Sequence, residues 1–219
     1  IRHIIKAALK DGAGGEGYGA WSSSIAGGCT ESLWSQLGDG LQRMTFERSI
    51  QQIVDYTREL MRVHGRFIRG SENMATTGLW FLVEDDTCHF AWTGDTRLYL
   101  YEEGKLTQLT TDHDMATEMI AEGVSREQAY AAGMQHKLTR CLSAQCDLTP
   151  DYGHVVLQQG CTLIAATDGV YNAVPDEEII ELCEDEQVKD LAAALVQRAV
   201  DNQTHDNASA ITYRHQTLR

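Results

Sequence analysis

The chain of 219 residues carries 18 Lys and Arg against 32 Asp and Glu, a formal net charge of −14, with 42% apolar positions, two Pro and 19 Gly. That length suits a single domain, and the acidic surplus excludes a nucleic-acid or anionic-membrane surface, because both partners need basic side chains to displace counterions or meet headgroups. No window approaches the roughly 18 consecutive apolar residues of a membrane helix, and the first residues lack the apolar core of a signal peptide, so the chain reads as soluble and cytoplasmic.

A glycine-dense stretch at residues 11–19 follows the apolar run Ile4, Ile5, Ala7, Ala8 and Leu9. From Phe46 to Ile68, apolar residues recur at spacings near three and four (Ile50, Ile53, Val54, Leu60, Met61, His64, Phe67), which predicts a long amphipathic helix. The pattern then changes to short runs at 77–83, 87–93 and 97–101, rich in aromatic, Leu, Val and Thr residues and separated by acidic and Gly-Asp turns. These predict antiparallel strands, with a further strand at Leu106–Leu109. Helical patches at 114–122 and 125–132 precede strands near 154–158 and 161–167. Pro175 opens a helix over Glu177–Cys183, and Val188, Leu191, Leu195 and Ala199 mark another, before a last strand at Ala208–Tyr213. Helices in two blocks around a run of hairpins give an α+β class. Trp80 and Trp92 fall on strands and read as core. The six Cys are scattered without paired metal-ligand spacing and read as reduced thiols, several of them buried.

Three aspartates stand apart from the surface acids. Asp11 opens Asp11-Gly12-Ala13-Gly14-Gly15, Asp168 follows the apolar run ending in Ala165-Ala166-Thr167, and Asp206 lies in His205-Asp206-Asn207 just before the last strand. Carboxylates held on strand ends, with Gly letting a backbone carbonyl approach, suit a hard cation such as magnesium or manganese. Each alone is equally a turn or a cap.

In chain order, these motifs combine with Ala75-Thr76-Thr77, Gly94-Asp95-Thr96-Arg97-Leu98-Tyr99-Leu100, Glu103-Gly104-Lys105-Leu106 and Leu109-Thr110-Thr111-Asp112-His113. The set resembles the metal-dependent serine/threonine protein phosphatases of the type-2C family, in their short bacterial form, from about Leu9 to Tyr213. The resemblance implies one domain over residues 1–219, a four-layer α-β-β-α sandwich of two antiparallel sheets flanked by helix pairs. It implies two Mn2+ or Mg2+ ions, with Asp11 bridging them, Gly12 offering its carbonyl to one, and Asp168 and Asp206 ligating the other. Asp112 would help Asp168 hold a weaker third metal. Water bound by the metals would attack phosphorus, so no Ser or Cys nucleophile is needed. Arg140, in the segment matching the family's flap, would meet a substrate phosphate or pair with a nearby acid. Gly94, Asp95 and Arg97 read as a turn with a structural ion pair, and His113 as a residue behind the metal ligands or a surface histidine.

The sequence departs from the family at its front. Upstream of Asp-Gly-x-Gly-Gly the family carries a phosphate-gripping Arg and an acid of the metal shell. Here only ten residues precede Asp11, none of them acidic, and Arg2 is too close to serve. Either the first strands are lost, or the protein is a divergent member with an incomplete site. Ala13 stands where some members, chiefly eukaryotic, place a His. The resemblance implies a phosphorylated protein substrate, a role opposing a Ser/Thr kinase in bacterial signalling, and a monomer. A non-catalytic relative that binds a protein partner is the alternative. A two-metal nuclease would need basic grooves that the net charge opposes.

Overall fold

The computed structural model describes residues 4–13, 18–37, 45–69, 71–145 and 148–216. In chain order the strands are β1 (Ile4–Leu9), β2 (Gly12–Ala13), β3 (Ala75–Thr76), β4 (Gly78–Glu84), β5 (Thr87–Thr93), β6 (Arg97–Glu102), β7 (Lys105–Gln108), β8 (Leu142–Ser143), β9 (Asp151–Val156), β10 (Thr162–Ala166) and β11 (Ala210–Arg214). The α-helices are α1 (Tyr18–Leu37), α2 (Phe46–Phe67), α3 (Met115–Ala121), α4 (Arg126–Ala131), α5 (Asp168–Tyr171), α6 (Asp176–Glu184) and α7 (Leu191–Asp201). One antiparallel sheet runs β1-β4-β5-β9, a second β11-β10-β6-β7, and a small third sheet β2-β3-β8 lies beside them.

Why four layers form is visible in the alternation along the strands. On β4, Leu79, Phe81 and Val83 point between the sheets, while Trp80 and Leu82 point outward to α1 and α2. On β10, Leu163 and Ala165 join that same central layer, and Ile164 and Ala166 face α6 and α7. Strands buried on both faces read as continuous apolar runs, and a helix pair must cover each outer face. Thr45 caps α2 by accepting from the Arg48 N–H, and Asp190 caps α7 by accepting from the Ala193 N–H. The observed architecture is the expected α-β-β-α sandwich. Trp80 and Trp92 are core, their indole N–H groups donating to Thr30 Oγ1 (3.1 Å) and the Thr111 carbonyl (2.8 Å).

The periodicity did not announce α1. Its segment mixes Ser22, Ser23, Ser24, Gly27 and Gly28 into apolar positions and has hardly any apolar asymmetry. It packs through small side chains, Ala26 and Cys29, and the Ser22 hydroxyl donates to the Ala75 carbonyl. Among the described residues Cys29, Cys88, Cys141, Cys161 and Cys183 are unbridged thiols. Cys146 lies outside the described residues. No described helix is long and apolar enough to cross a membrane.

Candidate metal centre

The candidate aspartates sit where strands of both sheets end. Asp11 follows β1, and its backbone is fixed on both sides by the Thr76-Thr77 corner before β4. The Thr77 hydroxyl accepts from the Asp11 N–H (3.0 Å), while the Thr77 N–H (2.8 Å) and the Thr76 hydroxyl (2.7 Å) donate to the Asp11 carbonyl. Gly12, next along, leaves no space for a Cβ, which would overlap the Gly19 carbonyl near the start of α1. Asp168 follows β10 as the first residue of α5. The Asp206 loop is drawn to it by Thr204, whose hydroxyl donates to the Gly169 carbonyl (2.8 Å), and by the Ser209 N–H, which donates to Thr167 Oγ1 (3.0 Å). A Cβ on Gly169 would overlap the Asn207 carbonyl, so this approach of backbones requires glycine.

A fourth carboxylate joins them from the β5–β6 turn. The Asp95 carbonyl accepts from the Tyr171 hydroxyl (3.0 Å). Its neighbour Thr96 brings its hydroxyl 2.6 Å from that of Thr77. Burial first, then Asp168, then Asp206 and Asp95 push the Asp11 carboxyl up to about 7. Asp95 is likewise pushed up to about 7, by burial first, then Asp168, Asp112 and Asp114. Asp11, Asp95, Asp168 and Asp206 therefore form one electrostatic cluster, in which burial and the neighbouring charges raise Asp11 and Asp95 and a cation would compete with the protons those two hold. Hard oxygen donors in mutual repulsion are the right chemistry for Mg2+ or Mn2+. Among the described residues, no three acidic, His or Cys side chains already enclose a metal-sized position.

Asp95 was read from sequence as a turn residue. The available signal was symmetry, since Gly94-Asp95 ends β5 much as Asp11-Gly12 ends β1. Arg97, grouped with it in that reading, forms a structural ion pair, but with Asp112 rather than with Asp95. Arg97 binds both oxygens of Asp112 (Nε 3.0 Å to each, Nη2 2.6 Å to Oδ2), and its guanidinium lies 3.6 Å from the Tyr171 ring centroid. Gln108 donates to Asp112 as well (3.0 Å). Asp112 is thus buried and engaged by a fixed cation.

His113 is buried, and it holds the turn that carries Asp95. It is 5% exposed and stacks on Trp92 with ring centroids 5.9 Å apart. Its Nδ1 accepts from the Gly94 N–H (3.1 Å), leaving Nε2 to donate to Asp151 Oδ2 (3.2 Å). Arg140 grips Asp151 with two bonds (2.8 and 2.7 Å) and presses against the same His113 edge. Burial, then the Arg140 charge, lowers the His113 pKa.

A sandwich of two antiparallel sheets between helix pairs, with carboxylates from both sheets clustered at one end, defines the class of metal-dependent phosphoprotein phosphatases. The family profile of Protein phosphatase 2C matches residues 2–209, and the chain belongs to that family. It is 26% identical over 175 residues to Serine/threonine phosphatase stp of Listeria monocytogenes serotype 4b, across 80% of this chain and 69% of that relative. The fold matches the Mycobacterium tuberculosis serine/threonine phosphatase PstP/Ppp with a TM-score of 0.85 at 22% identity, covering 98% of this chain and 92% of that one. It also matches the catalytic domain of PstP in complex with two manganese ions, with a TM-score of 0.79 at 23% identity, covering 96% and 89% of the two chains.

Proposed function

We propose that this protein, acting as a single phosphatase domain, hydrolyses phosphoserine and phosphothreonine in other proteins with two bound Mn2+ or Mg2+ ions. The observation that carries the reading is the cluster of Asp11, Asp95, Asp168 and Asp206, with Asp11 and Asp95 both pushed up to about 7. A binding scaffold has no physical need for four acids whose repulsion must be balanced, which disfavours a non-catalytic relative.

Asp11 and the Gly12 carbonyl would hold one cation, and Asp11, Asp168 and Asp206 the other. For a third, weaker site Asp168 needs a second carboxylate. Asp112 serves there only by leaving Arg97, whereas Asp95 already interacts with Asp168. Bound divalent cations supply neutralising charge for phosphoryl oxygens and acidify water for in-line attack. The chain's own part is to position. Thr76 and Thr77 fix the Asp11 backbone, Thr204 and Gly169 hold the Asp206 loop against Asp168, and Tyr171 ties the Asp95 turn to α5. A thiolate route is disfavoured, because burial pushes Cys88 up to about 12 and Cys183 up to about 11, and raises Cys161 as well.

The substrate is a phosphoprotein made by an opposing Ser/Thr kinase in cytoplasmic signalling. The net charge of −14 favours phosphosites with basic flanks, since acidic ones are repelled except where bound cations invert the local field. The test is turnover of p-nitrophenyl phosphate and a phosphothreonine peptide with Mn2+. Activity abolished by EDTA and by Asp168→Ala supports the reading. A protein that binds Mn2+ but turns over neither substrate returns the scaffold alternative.

A further inference from the structure

Helix α2 buries one face, with Ile50, Ile53, Val54 and Met61 fully inside. It also carries a second apolar stripe turned away from that face: Tyr56, Leu60, Val63 and Phe67. Tyr56, Val63 and Phe67 are 50%, 37% and 83% exposed, and Leu60 is half-buried. Trp21 of α1, 49% exposed, stands edge-on to His64 and widens the apolar surface beside the stripe. Single exposed apolar residues are ordinary, but a contiguous stripe marks a contact surface.

The spacing four, three, four is that of a coiled-coil seam, with Tyr56 and Val63 at d and Leu60 and Phe67 at a. In that frame both g positions are charged, Glu59 with one sign and Arg66 with the other, while the e positions Thr57 and His64 turn toward the core and α1. Seam charges set partner and orientation. In an antiparallel pair a residues pack on d residues and g flanks g. Two copies of α2 related by a two-fold axis therefore place Tyr56 on Phe67 and Leu60 on Val63 of the second copy. Glu59 then lies opposite Arg66 twice, so the helix is complementary to itself in that one orientation. A parallel pair would set each g against the e position five residues on, so Glu59 would meet His64 and Arg66 would find no partner on α2, which offers no such twofold complement.

We propose that the α2 stripe is the contact of a two-fold dimer of this chain, formed by antiparallel α2 helices. This departs from the expected monomer, and it is independent of the catalytic reading because mass, not turnover, reads it. A short seam gives a reversible dimer whose population rises with protein concentration.

Sedimentation velocity over a concentration series tests it. The expected result is a mass approaching twice the 24.3 kDa chain at high concentration, and the chain mass at every concentration for Val63→Glu/Phe67→Glu. Both side chains are exposed, so circular dichroism should stay at its wild-type value, as should the melting temperature at dilutions where the wild type is monomeric. Arg66→Glu sets acid against acid and should weaken association on the order of tenfold, and Glu59→Arg combined with Arg66→Glu should restore it. A wild-type protein that stays monomeric throughout overturns the proposal, as does a dimer that survives Val63→Glu/Phe67→Glu. A charge swap that fails to restore association overturns the antiparallel register.

Discussion

The hydroxyls of Thr77 and Thr96 lie 2.6 Å apart, joining the two sheets of the sandwich at the end that carries the carboxylates. Thr77 leads into β4 of one sheet and Thr96 into β6 of the other. The same Thr77 oxygen accepts from the Asp11 N–H, so one buried atom links the Asp11 and Asp95 turns. Thr77→Val keeps the shape and removes both contacts, leaving a buried donor and a buried hydroxyl unpaired. Urea unfolding of the metal-free protein should show a loss of about 1–3 kcal/mol, and calorimetric Mn2+ affinity should fall with it. Thr77→Ser should restore both. Wild-type Mn2+ affinity in Thr77→Val would remove the link between this bridge and the metal centre.

In EDTA, stability should decrease as pH rises. Asp11 and Asp95 ionise near 7 in the folded protein against 3.8 for the free side chain. Between those values the folded state holds protons that the unfolded state has released, so the stabilising contribution is full below about pH 4 and is lost through about pH 7. With partly exposed Asp11 discounted for solvent screening, the loss is on the order of several kcal/mol, most of it from Asp95. Asp95→Asn should flatten the profile. Mn2+ affinity should rise over the same window, because the cation competes with those protons. Scanning calorimetry in EDTA near pH 5 and pH 8 checks the sign, and a melting temperature that climbs with pH contradicts it.

Period-2 and period-3.6 patterns placed every long element except α1, because strands such as β4 and helices such as α2 are held by side chains whose spacing is local. Where burial is shared among small residues, as at Ala26 and Cys29 in α1, no asymmetry survives for a pattern to report. The same limit applies within α2, where Leu60 and Phe67 keep helical spacing in sequence but lie off the buried face. Asp11, Asp168 and Asp206 stood out by their position at strand ends. Asp95 did not, because its link to Asp168 runs through Tyr171 and the packing of α5 on the second sheet, contacts between residues far apart in the chain. His113 and Arg140 were ambiguous for the same reason, since their shared partner Asp151 comes from another strand.

Arg140 separates two roles that predict different numbers. Its guanidinium is held by Asp151 on β9, and a contact with substrate phosphate competes with that pair. Arg140→Ala should lower stability by about 1 kcal/mol, as expected for a half-exposed pair, with KM for p-nitrophenyl phosphate changing less than about threefold, well under 1 kcal/mol of binding. His113 should become more basic, because the Arg140 charge that disfavours its protonation is gone while Asp151 remains. An NMR titration of the His113 ring reads this directly. A large rise in KM with an unchanged His113 titration would instead assign Arg140 to the substrate.

Asp168 raises both Asp11 and Asp95, so its charge is the hub of the repulsion. Asp168→Asn removes that charge with little change of volume. At about pH 8 in EDTA the variant should be at least as stable as wild type, with a gain on the order of 1 kcal/mol from relieved like-charge interaction. With Mn2+ the order should invert. A ligand present at 100 times its Kd stabilises the folded state by about 2.7 kcal/mol, and the wild type should gain that increment while the variant gains little. Paired melts with and without Mn2+ measure both halves. A variant that is destabilised in EDTA yet still stabilised by Mn2+ would show that Asp168 is a packing residue whose carboxylate the cation does not need.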